Sequence, residues 1–273
     1  MIHLKKNSMK KIGTLALLAC ITTMSFAQQN LSSVWTNQPI VINGNAAEWS
    51  LPLKYYDNGT NLFFAIRNDT SNLYLCFQAK DEINQAKIIS SGMKIILSDK
   101  INGKHKSSIS YPLAIKHAAK SAASEDEIKP DPLAPRQSRR DAFLAADTMM
   151  DVRGFAFTNG VISIHNLSGI RTAINFDSAN ILTYEVAIPL QELFGSHYDV
   201  KDISKDISLN VIINALADRS GNSSAYAGRM GGYGGQHRGS TNEGEENQQS
   251  QYQRAMMSQK AELKQKFVLA LPE

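Results

Sequence analysis

The chain has 273 residues, of which 42% are hydrophobic and 20% are charged, so it is too apolar to be wholly disordered. Residues 1–27 hold four of the 29 basic residues and none of the 25 acidic ones, so the rest of the chain carries 25 of each. A nucleic-acid-binding protein needs a standing surplus of Lys and Arg against phosphate, and this balance argues against that class.

The first 27 residues have the pattern of an export signal. Lys10 and Lys11 precede an apolar run from Ile12 to Met24, and Ser25-Phe26-Ala27 places small residues before a cleavage point at Gln28. A charged start, a short apolar run and small residues in that order are typical of a secretory signal peptide. We therefore predict an exported protein, periplasmic or secreted, with no transmembrane span in the mature chain.

The start of the chain and its two cysteines leave alternatives open. Met9, followed by two lysines, makes a better start for the signal than Met1. Cys20 ends a Leu-Leu-Ala-Cys sequence that loosely resembles a lipoprotein cleavage box, so a lipid anchor at Cys20 is the less favoured alternative. Cys76 would be the one cysteine of the mature chain, and its apolar neighbours predict a buried, unreactive thiol.

The body of the chain is dominated by short strand-like runs separated by Asn, Gly, Asp and Ser. Leu73, Leu75, Phe77 and Ala79 alternate onto one face of such a run, as in a half-buried strand. The predicted strands are 61–67, 73–80, 93–97, 107–113, 152–157, 161–166, 171–176, 181–188, 209–216 and 267–271. These runs and their short connections predict an all-β fold, an antiparallel β-sandwich that forms a single domain over 28–273.

The turn Thr158-Asn159-Gly160 is the strongest local hairpin signal, because Asn-Gly supplies the positive φ angles of a tight turn. A few short peripheral helices are predicted over 81–90, 139–150 and 251–264. Two long insertions, about 117–150 and 220–250, interrupt the sandwich, and the second is expected to be largely unstructured. Its Gly-rich run, 228–239, predicts a flexible surface loop, with contact to an anionic or glycan partner as the alternative.

Three motifs carry a resemblance to a known family. They are Ile40–Trp49 (IVINGNAAEW), Asn72–Asp81 (NLYLCFQAKD) and Tyr184–Leu193 (YEVAIPLQEL). In this order they resemble the "I-D-G … E-W", "LY" strand and "Y-E-x-x-I-P" elements of bacterial carbohydrate-binding family 9-like domains, which are relatives of the DOMON β-sandwiches. Asn43 stands where the family pattern has Asp. The resemblance covers about residues 39–271. The physical interpretation agrees with it: Asn43-Gly44 can turn the chain, and Trp49 is then expected to close one end of the sandwich.

The candidate ligand-binding residues are aromatic, because sugar recognition uses exposed aromatic faces with hydrogen-bonding groups beside them. Trp49 stands at a structural position of the family, so the paired tryptophans of its sugar-binding members are not evident here. The remaining candidates are Trp35, before the first core strand, and the loop aromatics Tyr55, Tyr56 and Tyr233.

Metal and cofactor sites receive little support from the sequence. Asp57, Asp81, Glu82 and Asp99 offer oxygen ligands for Ca²⁺, as in some relatives, but they lack the spacing of a loop site and are expected to be solvated. Some DOMON relatives hold haem between Met and His, which makes Met93 and His165 the alternative pair. Met93 fits the core stripe better, and His165 is expected to face solvent.

The motifs of catalysis, such as a Gly-x-Ser-x-Gly elbow or a metal-binding His-x-x-x-His pair, are absent from the sequence. The leading hypothesis is therefore a non-catalytic exported protein that binds a glycan or a cell-envelope partner. The alternative is a structural or assembly protein of the bacterial envelope, with the sandwich as scaffold and the two insertions as its contacts. A haem-binding redox domain is the third and weakest alternative.

Overall fold

The computed structural model describes residues 31–99, 106–113, 140, 144–145, 147–199, 204–216 and 243–272. The strands are β1 Leu31–Ser32, β2 Val34–Trp35, β3 Tyr55–Asp57, β4 Leu62–Asn68, β5 Asn72–Ala79, β6 Met93–Asp99, β7 Lys106–Tyr111, β8 Met149–Arg153, β9 Gly160–Ser163, β10 Arg171–Phe176, β11 Leu182–Pro189, β12 Ile207–Ile213 and β13 Ala261–Val268. The helices are α1 Glu82–Ser91, α2 Leu190–Phe194 and α3 Glu243–Ser258.

The strands form two sheets that pack face to face. The seven-stranded sheet has the order β1-β13-β12-β6-β7-β8-β9. The six-stranded sheet has the order β10-β11-β5-β4-β2, and β3 also pairs with β4. The pairs β1–β13 and β2–β4 are parallel and only two residues long, whereas the long ladders are antiparallel. The predicted all-β sandwich is confirmed.

The main core lies between the sheets and follows the period of two along each strand. In β4 and β12 every second residue is buried, among them Phe64 and Ile66 on one sheet and Leu209 and Val211 on the other. The inward stripe of β5, Leu73 to Ala79, is the one that the sequence pattern predicted. Burial of such side chains stabilises a fold by about 1.5–3 kcal/mol each, so this interior is the main source of stability.

The N-terminal strand crosses from one sheet to the other at Ser33. β1 pairs with β13 of the seven-stranded sheet, and β2, one residue later, pairs with β4 of the six-stranded sheet. The buried Asn68 side chain joins the layers here: its Nδ2 donates to the Ala270 carbonyl (2.9 Å), and its Oδ1 accepts from the Ala270 N–H (2.9 Å) and from the Ser33 hydroxyl. The N-terminal and C-terminal segments of the described chain are therefore held together at Asn68.

Helix α1 confirms the prediction over 81–90, and the Asp81 side chain caps it by accepting from the Asn84 N–H. The buried Lys87 of α1 donates to the carbonyls of Met256 (3.3 Å) and Gln259 (2.6 Å) and so holds the C-terminal end of α3. Burial lowers the pKa of Lys87, and the nearby Asp81 works in the opposite direction. Among the described residues, no helix combines the length and the apolar character needed to cross a bilayer.

The predicted tight Asn-Gly hairpin is wrong. β8 ends at Arg153 and β9 begins at Gly160, so six residues connect them. The Asn159 side chain spans this loop, accepting from the Gly154 N–H (2.6 Å) and donating to the Phe155 carbonyl (2.9 Å). Phe155 is buried within the loop, and this burial favours the wider connection over a two-residue turn.

Two predicted helices are misplaced. The helix predicted over 139–150 runs into β8, because Met150 and Val152 alternate into the core as strand residues. The helix predicted over 251–264 lies earlier, as α3, and the final strand begins at Ala261 rather than 267. The end of the second insertion is thus helical from Glu243. Residues 1–27, with the start codon and Cys20, and the Gly-rich run 228–239 lie outside the described residues, as do most of both insertions.

Candidate functional site

A cover segment, residues 40–53, lies over the outer face of the six-stranded sheet. Its buried Ile40, Ala46, Trp49 and Leu53 pack on side chains that point away from the main core. Those sheet side chains are Tyr74, Cys76 and Ala187. Trp49 therefore covers a sheet face, and the expectation that it closes one end of the sandwich is corrected.

Glu185 of β11 anchors the cover segment. Its side chain is fully buried, and it accepts from the Trp49 indole N–H (2.7 Å), the Gly44 N–H (2.7 Å) and the Asn43 N–H (3.0 Å). Burial raises the pKa of Glu185, while the three hydrogen bonds, led by that of Trp49, act to lower it. The carboxylate thus replaces the water that these donors would otherwise bind.

Gly44 allows the cover segment to approach the sheet closely. Its φ of 77° lies in the left-handed region, and a Cβ at this position would stand 2.6 Å from the Asn175 Cβ. The Asn43 side chain, at the position where the family has Asp, accepts from the Asn45 N–H (2.7 Å) and tightens the same turn.

Cys76 lies beneath the cover segment and is completely buried. Burial raises the pKa of its thiol, and the neighbouring Glu185 charge raises it further. Both effects disfavour the reactive thiolate, so the prediction of a buried cysteine is confirmed.

Beyond the cover segment, the outer face carries a cross-strand row of five residues. Tyr56, Phe63, Gln78, Thr183 and Asn175 pair in register across β3, β4, β5, β11 and β10. Four spacings between neighbouring strands make this row about 19 Å long. The row contains two aromatic rings at one end, amide and hydroxyl groups at the other, and no charged residue.

A cleft of about 300 Å³ lies between this row and the cover segment. It is lined by Gly44, Asn45, Ala46, Ala47, Leu51, Gln78, Asn175, Phe176, Asp177 and Thr183. The turn that Glu185 anchors therefore forms one wall of the cleft, and the amide and hydroxyl part of the row forms its floor.

The floor of the cleft retains hydrogen-bonding capacity. Gln78 and Thr183 are only 6% and 2% exposed, and the Gln78 Nε2 donates to the Thr183 Oγ1 at 3.3 Å. No hydrogen bond between described residues uses the Gln78 Oε1 or the Thr183 hydroxyl proton. The Gln78 Oε1 is not among the buried atoms that lack a partner, and these groups are suited to a polar ligand or to water in the cleft.

The aromatic end of the row is partly open. Tyr56 is 48% exposed, and its ring centroid lies 4.6 Å from that of Phe63. The Tyr56 hydroxyl donates to the Asn61 Oδ1 (2.9 Å), and the Lys80 Nζ lies 4.3 Å from the Phe63 ring centroid. The Lys80 ammonium and the Tyr56 ring thus cover Phe63, and Tyr56 presents the exposed aromatic surface at this end of the row.

The aromatic residues predicted to bind a ligand do not form one surface. Tyr55 and Tyr56 are in strand β3, not in a loop, and consecutive strand residues point to opposite faces. Tyr55 turns toward the core, with its ring centroid 5.3 Å from that of Phe64. Trp35 lies in β2 and donates to the Asn37 Oδ1 (2.8 Å). Among these three, Tyr56 belongs to the cross-strand row, and Tyr233 lies outside the described residues.

The residues that the sequence analysis missed are Phe63, Gln78, Thr183 and Asn175. Their strands were predicted, and the alternation that places Leu75 and Phe77 inside places Gln78 outside. The strand register that brings the four side chains into one row was not available from the sequence, because it depends on pairing between distant segments.

Met93 and His165, the alternative residues for holding haem, differ in burial and in their place in the fold. Met93 is fully buried in the core on β6, whereas His165 is exposed in the turn after β9, and two strands separate β6 from β9 in the sheet. The expected exposure of His165 is confirmed.

The carboxylates considered for Ca²⁺ serve local structure where their contacts are described. Asp57 accepts from the Thr60 N–H (2.8 Å) and hydroxyl (2.7 Å), and Asp81 caps α1. Glu82 begins α1, and the side chain of Asp99 lies outside the description. Within the described residues, no three His, Cys, Asp or Glu side chains come together as a metal site.

The three motifs of the sequence analysis meet at Glu185. The first supplies Asn43, Gly44 and Trp49, the third supplies Glu185, and the second forms β5, where Cys76 pairs with Glu185. The likeness to family 9-like domains stays a prediction carried by these motifs. Comparisons with protein-family models, with curated proteins and with solved structures give no match for this chain.

Proposed function

We propose that this protein is exported, with residues 1–27 as its signal, and that it binds a carbohydrate in the cleft of the six-stranded sheet without catalysing a reaction. The observation that carries the proposal is the Gln78–Thr183 pair, which is buried at the floor of the cleft with unused hydrogen-bonding atoms. The Tyr56–Phe63 ring pair continues the same row.

The chemistry of the row suits a neutral sugar. Carbohydrates present hydroxyl groups, which pair with amides and hydroxyls, and C–H faces, which pack on aromatic rings. Asn175, at one end, accepts from the Phe176 N–H through its Oδ1 (2.8 Å), which leaves its amide N–H groups for a ligand. The row therefore provides both kinds of contact within about 19 Å.

Among the described residues, Glu185 and Glu192 are buried and both bind the protein itself, which supports a non-catalytic role. Glu185 anchors the cover segment. Glu192 accepts from the Phe157 N–H (3.0 Å), the Thr158 N–H (3.2 Å) and the Thr158 hydroxyl (2.6 Å), and so fixes the loop between β8 and β9. A general acid or base needs access to a substrate proton, which these bonded groups do not have.

A glycan array with the purified full-length protein tests the proposal. We expect binding to a neutral glycan, and we expect Gln78→Leu to weaken it at least tenfold, because one buried amide is worth about a factor of ten. Tyr252→Ala serves as control, since Tyr252 is 64% exposed on α3 and does not line the cleft. If Gln78→Leu left glycan binding unchanged, the glycan would bind outside the cleft. No glycan signal, with crosslinks to an envelope protein instead, would favour the scaffold alternative.

A separate experiment tests export. Expressed in a Gram-negative bacterium, the protein is expected in the periplasm or medium, with an N-terminus at Gln28 when sequenced. Labelling by radioactive palmitate would instead indicate a lipid anchor at Cys20.

A further inference from the structure

We propose that the cleft binds an internal stretch of a neutral polysaccharide chain that lies across the strands, rather than the end of a chain. This inference rests on the proposed carbohydrate-binding function and adds to it the class of ligand and its orientation. It follows from the shape of the cross-strand row, from its charge, and from the place of Gln78 and Thr183 within it.

The row runs from one edge of the six-stranded sheet to the other. Tyr56 stands on β3, which pairs with β4 only, and Asn175 stands on the opposite edge strand, β10. Both end residues are exposed, whereas Gln78 and Thr183 in the middle are buried. In the described part of the chain, the row is thus buried at Gln78 and Thr183 and exposed at its two end residues, as the binding of a ligand longer than the cleft requires.

The cover segment gives this path a single wall. Gly44 to Ala47 and Leu51 rise on one side of the floor. On the other side Lys80 and Asp177 are exposed, one with each sign of charge, and the Asp177 Oδ1 also accepts from the Ile181 N–H (2.8 Å). The Arg140 guanidinium adds a second cation near the cleft, 3.9 Å from the ring centroid of Phe176. A row without charge, with charges of both signs beside it, favours a neutral ligand over a uronic acid or a phosphorylated glycan.

Gln78 and Thr183 hold the central position, where a chain that crosses the sheet places an internal sugar. Their free atoms include an acceptor, the Gln78 Oε1, and donors, the second amide proton of Gln78 and the hydroxyl proton of Thr183. Of two neighbouring hydroxyls on a sugar, one can donate to the Gln78 Oε1 and the other can accept from the Thr183 hydroxyl. The exposed Tyr56 ring, supported by Phe63, then packs against a sugar farther along the chain.

Isothermal titration with cello- and malto-oligosaccharides of one to six sugars tests the inference with the full-length protein. For the linkage that binds, we expect affinity to rise with chain length until the chain spans the row, about 19 Å, and then to level off. Reduction of the chain end with borohydride is expected to leave the affinity of the longest oligosaccharide unchanged.

Two variants locate the chain on the row. Tyr56→Ala is expected to remove most of the gain from longer chains while leaving the shortest ligand that binds unaffected, a pattern that general destabilisation does not produce. Thr183→Val is expected to weaken every length about tenfold. Thr172→Val is its matched control, because Thr172 is also buried but pairs with Val186 on the core face of the same sheet.

The outcomes separate the two proposals. A single sugar that binds as tightly as a long chain, or loss of binding on end reduction, would show recognition of chain ends: the inference fails and the carbohydrate-binding function stands. A charged oligosaccharide preferred over the neutral ones on the glycan array would also overturn the inference. No binding to any glycan overturns both.

Discussion

Replacing Trp49 with Phe isolates the hydrogen bond that joins the cover segment to Glu185. The Trp49 ring is 3% exposed, and its N–H is the partner of the Glu185 Oε1 at 2.7 Å. A hydrogen bond to a charged group contributes about 1.5–3 kcal/mol, so we expect Trp49→Phe to lower the free energy of unfolding by about that amount. For a domain of this size the corresponding fall in Tm is about 3–12 °C.

The pH dependence of this loss distinguishes the hydrogen bond from simple loss of packing. Burial raises the pKa of Glu185 above its value in the unfolded chain, and the Trp49 bond opposes that shift. Without Trp49 the folded pKa rises further, so the variant loses more stability than the wild type as pH rises through the folded pKa. The difference in unfolding free energy between the wild type and Trp49→Phe is therefore expected to be small below about pH 4, where Glu185 is protonated in the folded and in the unfolded state. It is expected to grow toward pH 7.

Urea unfolding followed by far-ultraviolet circular dichroism between pH 4 and pH 7 measures this difference. Trp35→Phe is the matched control, because the Trp35 N–H also donates to a side-chain oxygen, that of Asn37, but in an exposed and neutral setting. We expect the control to change stability by less than about 0.5 kcal/mol at every pH. A loss for Trp49→Phe that stays constant from pH 4 to pH 7 would refute the role of the carboxylate.

Two further predictions concern the turn over the sheet and the link between the layers. Gly44→Ala is expected to cost about 1–2 kcal/mol for the positive φ and more for the contact with Asn175, whereas Gly160→Ala, also at positive φ but in open space, costs only the first amount; equal midpoints in urea would contradict this. Asn68→Ala is expected to lower the free energy of unfolding by about 2–4 kcal/mol, because it leaves the Ala270 carbonyl and the Ser33 hydroxyl proton without their buried partner, while the Ala270 N–H keeps the Ser33 Oγ as acceptor (2.7 Å); a change below 1 kcal/mol in urea would show that water replaces the amide there.

Strands with one buried face were predictable because their pattern is local. The run 171–176 was predicted with its observed bounds, and the inward stripes of β5 and β6 were read from alternation alone. Residues 261–266 of β13 were not predicted as strand, since Leu263 and Phe267 face inward but the residues between them are polar or charged. Strands β1 and β2 were also missed, because two residues are too few to show the alternation of buried and exposed side chains.

The candidate site was less predictable because it depends on long-range contacts. The charge of Glu185 in an apolar strand was visible in the sequence, but its partners Asn43, Gly44 and Trp49 lie more than 130 residues away. Tyr56 was chosen as an exposed aromatic, and its neighbours Phe63 and Gln78 become a surface only once β3, β4 and β5 are placed in register. Side-chain type identifies candidates, whereas register decides which of them share a face.

The parallel pairing of β1 with β13 has a consequence for the order of folding. A chain synthesised from its N-terminus, or threaded through a membrane in that direction, exposes Leu31–Ser32 long before its partner Phe267–Val268 exists. The Asn68 side chain likewise lacks its hydrogen-bond partner until Ala270 has been synthesised. The sandwich can therefore close only after β13 has been made, and a chain truncated before residue 261 leaves β12 as an unprotected sheet edge that is open to aggregation.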